Sequence, residues 1–130
     1  KLSKDQLKDI MTGKVTNWKE VGGPDQAVQM VYGTKIPGTQ AVFQKQIMDG
    51  ASYAEKRIDV TTAPEVKAKV IATPGAIGLA PTILIDESVS APEMPEVGRP
   101  ITLITIGEPG PLVQKMIQYI MGEGKKYLVK

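Results

Sequence analysis

Apolar positions fall into short periodic runs, each ended by Gly or Pro. Leu7, Ile10 and Met11 share one face of a helix predicted to begin at Ser3 and stop at Gly13. Ser3 with Gln6 has the spacing of a capping box, and Leu2 with Leu7 that of a hydrophobic staple. Gly22-Gly23-Pro24 break the chain, and the alternation in Ala27–Tyr32 predicts a strand. A second helix is expected from Thr39 to Asp49, with Val42, Phe43 and Ile47 inward and Gly50 as its stop. Thr62 and Glu65 form another capping box, opening a helix that runs to about Ala72. Ala76–Ala80 reads as a short strand, which 82–88 either extends or follows with another. Residues 88–100 carry three Pro and one Gly and predict a surface loop. A β-rich run at 101–106 predicts a strand, and Leu112, Val113, Met116, Ile117 and Ile120 predict a last helix closed by Gly122.

Helices alternating with strands, without a long linker, predict one compact α/β domain over 1–130, a central mixed sheet flanked by helices. Hydrophobic residues make up 42% of the chain and aromatics 5%, so the core is aliphatic. Sixteen Lys and Arg against 14 Asp and Glu give a net charge of +2. The charges are interspersed, which argues against nucleic acid as a partner. No apolar run approaches the roughly 18 residues of a membrane-spanning helix. The chain opens Lys1-Leu2-Ser3, as expected of a mature or trimmed fragment.

The chain has no His and no Cys, which excludes a Ser-His-Asp triad and thiolate chemistry and leaves zinc without its usual ligands. The carboxylates are scattered, with no pair at metal-ligand or acid/base spacing. Neither a catalytic residue nor a metal or cofactor is therefore expected.

One stretch does suggest chemistry. Gly33-Thr34-Lys35-Ile36-Pro37-Gly38-Thr39 links a strand to a helix. Unpaired N–H groups at a helix start, with about half a positive charge from the dipole, suit an oxyanion. Thr34, Lys35, Gly38, Thr39 and Gln40 are the candidate binding residues. The same turn also reads as a plain capped junction, with Thr39 as N-cap and Lys35 in water. Trp18, the only Trp, reads either as a cleft wall or as a lid on the core.

Three segments together resemble the phosphate-binding proteins of ABC transporters. Ile10-Met11-Thr12-Gly13-Lys14-Val15-Thr16-Asn17-Trp18 is similar to the family's Ile-Phe-x-Gly-Lys-Ile-Thr-Asn-Trp run. Pro74-Gly75-Ala76-Ile77-Gly78 matches a family turn, with Leu79 where Tyr is usual, and 101–128 resembles the C-terminal strand and helix. The resemblance implies a non-enzymatic, extracytoplasmic (bacterial periplasmic) solute-binding fold of two lobes, of which this chain matches one periplasmic-binding-protein-like lobe and the C-terminal segment. It implies phosphate or sulfate as ligand and an ABC transporter membrane component as partner. A ligand-sensing or protein-interaction module that docks a signalling partner is the alternative.

The family's second-lobe site reads Arg-x-Asp-x-Ser-Gly-Thr. Here Gly33, Lys35 and Pro37 replace the Arg, Asp and Ser, and only Gly38 and Thr39 match. A bidentate Arg is lost, and Pro37 offers neither hydroxyl nor N–H. At about 1.5–3 kcal/mol for each charge-assisted bond, weak phosphate binding is expected, restored in part by the Lys35 charge. One lobe also leaves its ligand wet, so a homodimer or another partner is expected to supply the second wall.

Overall fold

The computed structural model describes residues 1–99, 104 and 106–127. The chain divides into two compact units, 1–98 and 99–130, each described by itself. Among the described residues no helix is long and apolar enough to cross a membrane.

In the first unit, α1 (Lys4–Met11) begins with the predicted capping box: Ser3 accepts from the Gln6 N–H, and the Gln6 side chain accepts from the Ser3 N–H. Strand β1 (Gln29–Gly33) leads to α2 (Pro37–Gln46), β2 (Ile58–Val60), α3 (Ala63–Ala72) and β3 (Ala76–Gly78). The sheet order is β2-β1-β3, and both pairings are parallel, with Tyr32 opposite Asp59 and Met30 opposite Ile77. The expected mixed sheet is therefore parallel throughout its three described strands. One antiparallel bridge, Asn17 with Ala27, lies outside it.

The chain steps from β1 to β2 in one direction and back across β1 to β3 in the other. Because parallel crossovers are right-handed, α2 and α3 cover opposite faces. Alternation along β1 serves both layers. Met30 joins Leu2, Leu7, Ile10, Met11, Phe43, Ile47 and Met48 in the main buried cluster. Val31 and Gly33 face the other way, where Val66 of α3 packs against Gly33. Gly78 is equally constrained: a Cβ there would lie 2.5 Å from a Val66 methyl.

The segment expected to be a loop at 88–100 has no regular structure through residue 99. It nevertheless works as a strap, with Met94 and Val97 packed against the main cluster. Gln46 clamps Gly98 at both its carbonyl and its N–H, and the Leu2 N–H donates to the Glu93 carbonyl at 3.0 Å.

Several boundaries differ from the sequence-based expectation, among them the end of α2, at Gln46 rather than Asp49. Residues 82–88 hold no strand; Thr82–Leu84 forms a single 3-10 turn, because Pro81 removes a ladder donor at the end of β3. Helix α2 starts two residues before Thr39, because Pro37 is preset for the first helical position. The strand expected at 101–106 falls mostly outside the described residues.

The second unit contains α4 (Pro111–Met121), which Gly122 ends as predicted, followed by a 3-10 turn at Glu123–Tyr127. Leu112, Met116, Tyr119 and Met121 of α4 are exposed within it.

Candidate functional site

Open parallel sheets bind ligands outside the carboxyl ends of their strands, where the connections diverge to opposite faces. In this sheet that point lies beyond β1, at the turn 34–36. The candidate residues gather there because Gly33 ends β1 and Pro37 starts α2 within four positions. Gly33 is crowded by side chains: a Cβ there would sit 2.8 Å from Ile36 and 3.1 Å from Val66, so Ile36 would have to shift.

The turn is fastened to the last residue of β2 and to the residue after it. The Thr34 N–H donates to the Val60 carbonyl at 2.8 Å, the Thr34 hydroxyl donates to the same oxygen at 3.1 Å, and the Lys35 N–H donates to the Thr61 carbonyl at 2.9 Å. Thr34 thus has both donors committed inside the protein. The Lys35 side chain is exposed.

Ile36, not Thr39, is the N-cap of α2, and it supplies no side-chain hydrogen bond. Thr39 lies in the first helical turn. Pro37 has no N–H, and the Gln40 N–H reaches the Ile36 carbonyl at 3.3 Å. The amides of Gly38 and Thr39 are the ones without an intrahelical acceptor. By contrast, α1 and α3 are both closed by capping boxes.

Gln40 turns inward. It is 5% exposed, and its side-chain amide donates to the Gly33 carbonyl at 2.6 Å. Of the five candidates, Thr34 and Lys35 are exposed, Gly38 and Thr39 are half-buried, and Gln40 is buried.

Two neighbouring groups were not signalled as part of the site by the sequence. Tyr53 donates its hydroxyl to the Gln40 carbonyl at 2.7 Å and meets Tyr32 edge-on, ring centres 5.2 Å apart. Burial pushes the Tyr53 phenol well above its ordinary range, and Tyr32 adds to the shift. Tyr32 is covered in turn by the Arg57 guanidinium, 3.9 Å from its ring centre, while Arg57 Nε donates to Asp59. The other group is Glu65. The Thr61 and Thr62 N–H groups, above all, hold its carboxyl below the usual range, and the Lys35 charge contributes less. The capping box had marked Glu65 only as a helix signal.

The site thus combines two free amides, the Thr39 hydroxyl and one exposed ammonium, a donor set that can accept an anion. Among the described residues no group of His, Cys, Asp or Glu has the arrangement of a metal site.

The model of the PBP superfamily domain matches residues 1–82. The phosphate-binding protein PstS of Bacillus subtilis is 47% identical over 91 residues, which cover 69% of this chain and 30% of that protein. PstS of Borreliella burgdorferi is 26% identical over 84 residues. A protein of Clostridium perfringens assigned as a phosphate ABC transporter substrate-binding protein, solved with bound phosphate, superposes with a TM-score of 0.66 at 33% identity. It covers 72% of this chain, which spans 39% of it. An ABC-type phosphate transport receptor of Vibrio cholerae gives 0.65 at 29% identity, over 72% of this chain and 40% of its own length. The chain spans well under half the length of each of these relatives, which are named as binding and transport proteins, not as enzymes.

Proposed function

The chain belongs to the PBP superfamily, and from that premise we propose that it is an extracytoplasmic solute-binding lobe that takes a small oxyanion, phosphate before sulfate, at the β1–α2 turn. The observation that carries this reading is the uncapped start of α2, directly beyond the central strand of a parallel sheet. Gly38 and Thr39 supply backbone N–H groups, the Thr39 hydroxyl adds a donor, and Lys35 adds charge.

Binding is weak in this reading, with a dissociation constant above about 1 μM. Thr34 has no donor left for a ligand, Gly33 carries no side chain, and Pro37 carries no N–H. A transporter membrane component, or a second copy of the chain, supplies the other wall. Titration calorimetry with phosphate and sulfate at low salt tests the proposal. A weak heat for phosphate, reduced by Lys35→Gln, supports it; no heat with either anion rejects it.

A second reading, a module that docks a signalling or transport protein and binds no anion, draws support from the exposed Leu112, Met116 and Tyr119 of α4.

A further inference from the structure

Gln40 is the buried polar side chain of the described residues. Burying an amide is unfavourable unless it is hydrogen-bonded, and this one donates to the last carbonyl of β1, at Gly33. The backbone carbonyl of the same residue accepts the Tyr53 hydroxyl. Residues 33 and 40 are therefore tied to each other, and the tie is anchored from outside by Tyr53. Everything the anion reading assigns to the ligand, from Lys35 to Thr39, lies within that bracket. The bracket also spans Gly38, the second residue of α2. Without the tie, the two open amides lose their common direction.

We infer that Gln40 and Tyr53 are positioning residues for the oxyanion: Gln40 holds the Gly38 and Thr39 amides in line by gripping Gly33, and Tyr53 fixes Gln40. Neither touches the ligand. The inference rests on the anion-binding reading, and it moves Gln40 from the ligand's contacts to their support.

The test is a titration of the ¹⁵N-labelled chain with inorganic phosphate, followed at the Gly38 and Thr39 amide signals, for wild type, Gln40→Met and Tyr53→Phe. The amide shifts report only folded molecules, so they separate positioning from stability. The expected result is a dissociation constant raised about tenfold by Gln40→Met and about threefold by Tyr53→Phe. Tyr53→Phe removes a single oxygen and keeps the question open to measurement if Gln40→Met does not fold. Unchanged constants in folded variants, with only the melting temperature lowered, overturn the inference and leave the anion reading standing. No shift in wild type at millimolar phosphate overturns both.

Discussion

The indole N–H of Trp18 donates to the Gly75 carbonyl at 2.9 Å, across 57 positions of the chain. The bond joins the two segments of the first unit that carry the family resemblance, and it makes them one structural object. Trp18 also packs against the main cluster, so it acts as a brace with one apolar and one polar end. Gly75 answers with a left-handed φ of +75°, and a Cβ there would lie 2.3 Å from the Ala27 carbonyl oxygen.

Trp18→Phe keeps most of the packing and removes the donor. It is expected to cost about 1–2 kcal/mol. Gly75→Ala is expected to cost more, because it meets both the backbone preference and the Ala27 oxygen. Urea midpoints at unchanged slope measure both; an unmoved midpoint for Trp18→Phe would remove the brace from the account.

Met48 has 0% exposure in the cluster between α1 and α2. Met48→Ala is expected to cost about 2–5 kcal/mol, whereas Ile71→Ala, at a residue 54% exposed, should stay within about 0.5 kcal/mol. Equal losses from the two would mean that the core lies elsewhere.

Three carboxylates give the fold an acid-sensitive edge. Lys67, then Ser88, lowers the Asp86 carboxyl from 3.8 to about 2. Lys4 and Lys8 lower Asp49, and the Thr61 and Thr62 amides lower Glu65. Each has a folded value below its unfolded one, so its contribution is present above about pH 4 and fades as pH falls toward 2. The melting temperature should be flat from pH 7 to 5 and fall below 4. Asp86→Asn should flatten part of that fall, and an unchanged acid limb would show that Asp86 does not shape it.

Lys35 offers the anion an exposed charge rather than a fixed fork. Lys35→Gln is expected to weaken phosphate binding about two- to fivefold at low salt and hardly at all near 1 M salt. A loss that persists at high salt would mean that Lys35 makes a direct, water-excluding bond.

The sequence was most legible where the signal is local. The Ser3–Gln6 and Thr62–Glu65 boxes, Gly13 after α1 and Gly122 after α4 all lie where short-range chemistry puts them. The start of α2 was misjudged because Thr39 looks like a cap, yet Pro37 already fixes the first helical φ. The strand expected from Ala27 begins at Gln29, because Ala27 bridges Asn17 and the Val28 N–H reaches Thr16. The Trp18 tie and the Gln40–Tyr53 support were not legible, since each depends on a partner brought in by the tertiary fold. A Gln in the first turn of a helix gives no sign of facing inward. The candidate turn itself was legible because Gly, Thr and Lys sit together in seven residues.

The strap that ends at Gly98 returns to the segment just before α1. Lys1 pairs with Glu93, 92 positions on, and Leu2 shares a main-chain hydrogen bond with the same residue. For a chain emerging from the ribosome, α1 is made among the first residues of this unit but cannot be sealed until nearly a hundred have followed. Until then the apolar face of α1 and its partners on α2 lack the cover of Met94 and Val97. The wiring that closes the finished lobe is therefore a closure of high sequence separation, made only after the rest of the unit has been synthesised.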